Sequence, residues 1–387
     1  MAGIYLHIPF CKQACHYCDF HFSTSLKNKS PFLKALEKEI ELRKDFFFND
    51  GQSKEKVGTV YFGGGTPSML DVSELMHVFD ALYSNFEIDE NAEITLEANP
   101  DDLTPQKTKS LKKTPINRLS IGIQSFYDED LQLMNRAHNA TEALNVVKHA
   151  QDNGFNNLSI DLIYGIPTLS HKKWEHNLKT TFDLDVKHIS AYCLTVESKT
   201  ALEKLIASGK IKNVDEQHSS EQFEMMLKEM KNNNFEQYEI SNFCKDQFYS
   251  RHNSNYWLKE KYVGLGPSAH SYNGETRQWN VANNAKYIWA LENKNGKDLE
   301  ISLFEQENLT INQRYNEYVL TSLRTIWGTD LSFIEKQFGN DFRIHCLKEA
   351  QPYFQLNQLV QKNDSLFLTD MGKLFADKIS SDLFSVL

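Results

Sequence analysis

From Ile4 to Leu194 the chain alternates short β-branched and aromatic runs with longer stretches whose apolar residues recur every three or four positions. The short runs, at residues 4–8, 57–62, 94–96, 119–123, 158–163 and 188–194, predict six strands. Residues 31–48, 72–83, 128–134, 141–153 and 171–182 predict the helices between them. Repeated strand and helix units imply parallel pairing through right-handed crossovers, in an open doubly wound sheet or a complete or partial TIM-like barrel. Polar and glycine-rich residues gather at the predicted strand ends. Three cysteines follow the first strand and Gly63-Gly64-Gly65-Thr66-Pro67 the second; Glu97 closes the third, Gln124 the fourth, and Asp161 lies within the fifth. A barrel would bring these five places to one mouth, whereas an open sheet would spread them along an edge. The expected class is therefore α/β, a partial, splayed (β/α)6 TIM-like barrel.

Beyond about residue 235 the pattern turns polar and rich in Gln and Asn, then passes through Ser250-Arg251-His252-Asn253-Ser254-Asn255-Tyr256-Trp257. Helical runs at 316–326, 331–337 and 342–350, a hairpin near Lys362-Asn363-Asp364 and a last helix follow in the order of a winged helix. The predicted division is 1–235 barrel, 236–304 linking segment carrying the His252 motif, and 305–387 a winged-helix-like C-terminal domain. Ten acidic and eight basic side chains in 306–387 favour packing or partner docking there over DNA binding. The whole chain, with 52 acidic against 42 basic residues and a net charge of −10, lacks the basic face that nucleic acid requires. Its start lacks the basic and apolar regions of a signal peptide, and no apolar run reaches membrane-spanning length. The expected location is cytoplasmic, with any membrane contact made through a partner.

Three of the six cysteines fall in one loop as Cys11-x3-Cys15-x2-Cys18. Three thiolates suit a [4Fe-4S] cluster with one iron left open, while His7, His16 or His21 would complete a Cys3His zinc site instead. The other three, Cys193, Cys244 and Cys346, read as small buried hydrophobes, although Cys244 lies eight residues before His252. Carboxylates inside a barrel need partners, so Glu97 and Asp161 either face a ligand or form internal salt bridges with Arg118 or Arg136. Gly63–65 is no dinucleotide fingerprint, because Ser68 stands where its last glycine would be.

The stretches Tyr5-Leu6-His7-Ile8-Pro9-Phe10-Cys11, Cys15-His16-Tyr17-Cys18 and, about 45 residues on, Gly63-Gly64-Gly65-Thr66-Pro67 resemble the radical S-adenosylmethionine superfamily. Within it they are similar to the oxygen-independent coproporphyrinogen III oxidase family and its haem-chaperone subgroup. The resemblance implies that Cys11, Cys15 and Cys18 hold three irons and that S-adenosylmethionine chelates the fourth. It further implies that Tyr5, Tyr17, Gly64, Gly65, Thr66, Glu97, Gln124, Arg136, Asp161 and Ile163 surround that cofactor, with Gly63 to Gly65 leaving room for its methionyl part.

Against the oxidase pattern, Phe20 stands where a further Cys is expected, and the Tyr-x-His motif begins at residue 5 without the oxidase's extension. The His252-Asn253-Ser254-Asn255-Tyr256-Trp257 segment resembles the subgroup's haem-binding motif. That likeness implies His252 as an axial ligand with Tyr256 and Trp257 against the macrocycle, and His270 as a second candidate. The expected function is a haem chaperone that carries a [4Fe-4S] cluster, S-adenosylmethionine and haem, and delivers haem to an acceptor such as a membrane-bound respiratory enzyme. The alternatives are a coproporphyrinogen oxidase acting by radical decarboxylation and a zinc-stabilised binding protein. No catalytic residue is singled out, a homodimer is left open, and bound and cleaved S-adenosylmethionine would use the same pocket.

Overall fold

A computed structural model describes residues 1–49 and 53–386. Strands β1 (Ala2–Ile8), β2 (Val57–Gly64), β3 (Ile88–Ala98), β4 (Arg118–Gln124), β5 (Asn157–Tyr164) and β6 (His188–Cys193) lie side by side in that order, each pair parallel. Such strands are covered on both faces and so read as nearly unbroken apolar runs. In β4 the alternation still sorts the faces: Leu119, Ile121 and Ile123 join the core, while Ser120, Gly122 and Gln124 line the central cavity. Helices α1 (Lys29–Leu42), α2 (Val72–Asn85), α3 (Pro105–Leu111), α4 (Asp128–Leu133), α5 (Ala140–Asp152) and α6 (His171–Asp183) connect the strands. Capping boxes start two of them, Asp71 with Glu74 on α2 and Asn139 with Glu142 on α5. The short α3 has no counterpart in the apolar periodicity of the sequence.

The stretch 236–304, expected as a linking segment, widens the sheet on both sides. Beyond β6, strands β7 (Glu236–Glu239) and β8 (Asn242–Cys244) add antiparallel pairs, with β8 next to β6. At the other end β9 (Tyr262–Leu265) pairs in parallel with β1. Strands β10 (His270–Tyr272), β11 (Thr276–Asn280) and β12 (Phe304–Asn308) then extend it by antiparallel pairing to twelve strands. These additions are three to five residues long and several are polar, as in Thr-Arg-Gln-Trp-Asn of β11. Strands so short, with polar side chains toward water, leave no alternation to read.

A buried carboxylate fastens this extension to the barrel. Glu39 on α1 is 0% exposed and accepts hydrogen bonds from Gly266 N (2.7 Å), Asn280 Nδ2 (2.7 Å) and Tyr287 Oη (2.6 Å). Because donors approach both oxygens, Glu39→Gln would turn an amide NH2 against one of them. We expect that variant to cost about 1–3 kcal/mol, read as a lower unfolding midpoint. An unchanged midpoint would show that the clasp is dispensable.

Helices Ile311–Leu323, Leu331–Phe338 and Asn340–Gln355 and a small antiparallel sheet follow, with strands Thr329–Asp330, Ser365–Leu368 and Leu359–Lys362 in spatial order. Two short helices, Asp370–Lys373 and Ala376–Asp382, complete this lobe, which has its own core around Tyr315, Val319, Ile334, Cys346 and Leu366. It docks on β7, where Arg324 Nη2 meets Glu239 Oε1 at 3.0 Å and Ile326 N donates to Tyr238 O at 3.1 Å.

Candidate metal and cofactor centre

The loop after β1 is stitched down by backbone hydrogen bonds. Gly65 N donates to Ile8 O (2.9 Å), Thr66 N to Phe10 O (2.7 Å), Cys11 N to Ser23 O (3.0 Å) and His16 N to Met134 O (3.0 Å). Cys11, Cys15 and Cys18 are thereby held half-buried and unbridged on one wall of a cavity of about 1300 Å³. Thr66 Oγ1 donates to Cys11 Sγ (3.5 Å) and Arg136 Nη1 to Cys15 Sγ (3.4 Å). Burial pushes the Cys11 and Cys18 thiols up to about 11. The donor set suits a cluster better than a single ion. Among the described residues, the donors gathered within 4.8 Å of one another are those of His171, His218 and Glu221, not the three thiols.

Each histidine that would complete a zinc site has a ring nitrogen hydrogen-bonded within the fold, and His7 has both. His7 Nε2 bonds His21 O (2.8 Å), His16 Nδ1 bonds Leu133 O (2.8 Å) and His21 Nε2 bonds Asn284 Oδ1 (2.6 Å). The glycines also have a local explanation. A Cβ on Gly64, whose φ is +103°, would lie 2.6 Å from His7 Nδ1, and one on Gly65 would lie 2.7 Å from Phe10 O. These residues let the cysteine loop lie flat on β2. Their closeness to Tyr5, His7 and the loop explains the triplet before any ligand is considered.

Glu97 and Asp161 face the cavity from β3 and β5. Among the described residues neither forms an ion pair, so the salt-bridge alternative with Arg118 or Arg136 is not realised. Glu97 accepts from Tyr61 Oη (2.8 Å) and Asp161 from Ser120 Oγ (3.4 Å). Desolvation raises both carboxyls, Glu97 to about 7 with help from Asp161, and Asp161 to about 6 despite the opposing pull of Arg118. Arg136 turns to Asn99 Oδ1 (2.6 Å) and Gly122 O (2.9 Å), leaving its buried Nε without a partner. Gln124 closes β4 with a φ of +67°, an uncommon conformation for a residue with a Cβ.

Of the residues expected around a cofactor, Tyr17, Gly64, Gly65, Thr66, Glu97, Gln124, Arg136, Asp161 and Ile163 line this one cavity. Tyr5 does not. Its ring lies deeper, 6.2 Å from Tyr61 and 6.4 Å from His252, with its hydroxyl 3.3 Å from His7 Nδ1. The sequence reading passed over Tyr61, Asn99 and Tyr192, although Asn99 stands two residues from Glu97 in the same Leu-Glu-Ala-Asn-Pro stretch. It also missed the far rim, built by Arg324, Lys373 and Phe375 of the C-terminal lobe. Cys193 lines the wall, whereas Cys244 and Cys346 are buried away from it.

The His252 segment departs most from expectation. It forms α9 (Arg251–Trp257; α7 is Ala201–Ala207 and α8 Glu216–Asn232) beside the first residues of β1 and β2, at the end of the barrel opposite the cysteines. His252 is 1% exposed, and both ring nitrogens are occupied, Nδ1 with Thr59 Oγ1 (2.8 Å) and Nε2 with Tyr256 Oη (2.9 Å). Its ring stacks on Tyr61 with centroids 4.9 Å apart, and Glu93 accepts from its backbone N–H (3.1 Å). His252 and Tyr256 fill the barrel floor and present no open iron ligand, while Trp257 lies against the Arg324 guanidinium, 5.5 Å from ring centroid to Cζ. His270 is exposed on β10 and lies 6.3 Å from Trp279, ring to ring.

Residues 5–180 match the radical SAM superfamily, and residues 309–375 match the HemN C-terminal domain. The haem chaperone HemW of Bacillus subtilis (strain 168) is 32% identical over 381 residues, covering 98% of each chain. HemW of Mycobacterium tuberculosis (strain H37Rv) is 33% identical over 381 residues, covering 97% of this chain and 93% of its own. Coproporphyrinogen III oxidase (HemN) from Escherichia coli superposes with a TM-score of 0.83 over 100% of this chain and 90% of its own. At 23% identity that likeness speaks for the fold alone. Among the described residues, no helix is long and apolar enough to cross a membrane.

Proposed function

The chain belongs to the HemW family of radical SAM proteins, and from that premise we propose that it binds haem and hands it to an acceptor protein. The observation that carries this reading is the likeness to haem chaperones along nearly the whole chain, C-terminal lobe included. Membership of the superfamily implies a [4Fe-4S] cluster and S-adenosylmethionine. The residues present fit both: three thiols too widely set for one ion, and beside them Glu97 and Asp161, neither of which forms an ion pair among the described residues.

In this reading Cys11, Cys15 and Cys18 hold the cluster. Glu97, Gln124, Asn99 and Asp161 receive the polar groups of S-adenosylmethionine, and Tyr17, Thr66 and Ile163 pack around it. When bound, the cluster supplies one-electron reducing power next to the sulfonium. Arg136 steadies the Cys15 side of the loop through its bonds to Sγ and to Asn99. Tyr61 fixes the Glu97 carboxylate from beneath. The acceptor in this reading is a haem protein such as a membrane-bound respiratory enzyme. Haem contact through His252, Tyr256 and Trp257 would require α9 to swing out of the barrel floor.

The reading is tested by anaerobic titration of the cluster-loaded protein with haem, followed by mixing with an apo-haem acceptor. Saturable binding near one equivalent and transfer of the Soret band to the acceptor are expected. Protein that binds no haem but decarboxylates coproporphyrinogen would replace this reading with the oxidase one.

A further inference from the structure

Away from the cysteines, one group of side chains has metal-ligating chemistry and no task in the reading above. His171 opens α6, while His218 and Glu221 stand three residues apart on one face of α8. One donor atom from each of the three lies within 4.8 Å of the other two. The two imidazoles stack, with centroids 4.4 Å apart and planes 11° from parallel. His171 Nε2 is a buried atom without a hydrogen bond among the described residues, although Glu221 Oε2 is only 3.3 Å away. A plain imidazolium–carboxylate pair would aim its N–H at the oxygen. Two atoms that are close without that alignment stand as neighbouring ligands of one ion do. Donors about 2.0–2.1 Å from a tetrahedral zinc lie about 3.3–3.4 Å from each other.

His218 is set up from behind. Its Nε2 is 2.8 Å from Leu169 O and 3.0 Å from Gln222 Nε2. Gln222 is itself fixed, accepting at Oε1 from Gly165 N (2.7 Å) and donating from Nε2 to Leu169 O (2.7 Å). Those three atoms form a nearly equilateral triangle, so the amide hydrogen aimed at Leu169 O turns its twin away from the imidazole. This network assigns the ring proton to Nε2, which donates to Leu169 O, and leaves the lone pair on the other nitrogen. A ring tied by one nitrogen to a backbone carbonyl is the usual state of a metal-ligating histidine.

We propose that His171, His218 and Glu221 bind a zinc-class divalent ion between α6 and α8, through His171 Nε2, the free ring nitrogen of His218 and the Glu221 carboxylate. Two imidazoles and one carboxylate suit zinc, whereas magnesium and calcium take oxygen ligands. Three protein ligands leave a further position for water, and the His171 and Glu221 side chains are 40% and 46% exposed, so the ion can enter from solution. Once bound, it ties the start of α6 to the first turns of α8. Ser219, Ser220 and Phe223 of those turns line the cavity beside the cysteines, so the ion braces one wall of the cofactor cavity from outside. The site depends on neither the cluster nor the haem-carrier reading.

The test is anaerobic titration of the full chain with zinc chloride against a chromophoric chelator, with thermal unfolding in parallel. The protein carries its cluster, so that the three thiols are occupied. Wild type is compared with His171→Ala and Glu221→Gln, both at partly exposed positions, and with His176→Ala, an exposed histidine elsewhere on α6. Iron content verifies that each protein is loaded. Wild type and His176→Ala should take up about one zinc per chain, undisturbed by excess magnesium. Loss of an outer-shell partner alone costs a metal site about 10–100-fold in affinity, so loss of a ligand in His171→Ala or Glu221→Gln should weaken zinc at least about tenfold. Zinc should raise the unfolding midpoint of wild type and leave that of His171→Ala where it was. Wild type that takes up no zinc would overturn the site. So would uptake unchanged in both ligand variants, which is the result that zinc on the cysteines would give.

Discussion

His252→Ala is expected to lower the stability of the folded protein by about 4 kcal/mol near neutral pH, with iron content retained at temperatures where it stays folded. The substitution removes a stacked ring and leaves Thr59 Oγ1 and Tyr256 Oη buried without their imidazole partner. Each orphaned group costs about 1–3 kcal/mol, and the cavity adds to that. The pH dependence identifies the cause. Burial lowers the His252 imidazole from its ordinary 6.5 to about 3, so the folded chain holds it neutral while the unfolded chain takes up a proton. Wild-type stability contributed by this ring is full above about pH 6.5 and is lost as pH falls toward 3. The difference between wild type and His252→Ala should therefore shrink by about 2 kcal/mol between pH 7.5 and pH 5, at about 1.4 kcal/mol per decade of proton affinity. Denaturant unfolding of the two apo proteins at both pH values checks this. A variant as stable as wild type that no longer binds haem would mean that the imidazole is an iron ligand after all.

The second large effect has opposite signs for folding and binding. In the apo protein the raised carboxyls of Glu97 and Asp161 favour their protonated forms. The unfolded chain ionises them from their ordinary 4.5 and 3.8, the folded chain only near 7 and 6. Stability is therefore lost as pH climbs through these windows and stays lowered above about 7. Replacing both, as Glu97→Gln with Asp161→Asn, should stabilise the apo protein by about 3 kcal/mol at pH 8, allowing for water in the mouth, and by nearly nothing at pH 4. The same double variant should bind S-adenosylmethionine at least about a hundredfold more weakly, about tenfold for each carboxylate hydrogen bond to the cofactor that is removed. Thermal scans at the two pH values and calorimetric titration with S-adenosylmethionine measure the two effects. A double variant less stable than wild type at pH 8 would show that the carboxylates are held by the fold rather than kept for a ligand.

What was legible in the chain follows from range. The six barrel strands could be read because both their faces are buried, and the cysteine loop, the glycine triplet, Glu97, Gln124 and Asp161 could be placed because each marks the end or middle of such a strand. The strands after residue 235 escaped because three-residue segments such as Asn242–Cys244 carry no period, and pairing to β6 or β1 is a tertiary fact. The rim formed by Lys373 and Phe375 meets the cysteine loop only through docking of the C-terminal lobe. His252 was visible as an unusual residue, but a sequence does not say whether a ring points out to a ligand or in toward Thr59 and Tyr61. Tyr61 was hidden for a similar reason, since Val-Tyr-Phe reads as plain strand.

The position of β1 bears on how the protein is made. This strand leaves the ribosome before the rest of the sheet yet ends up in its middle, between β2 and β9, and β9 begins only at Tyr262. Until β9 emerges, one edge of β1 has no partner, and at roughly 5–20 residues per second it waits for about ten seconds or more of further synthesis. Partners so distant along the chain slow folding and expose a strand edge meanwhile. The cysteine loop hangs from that same strand, so ligands translated ahead of the other strands are seated on a finished sheet only once synthesis has passed β9.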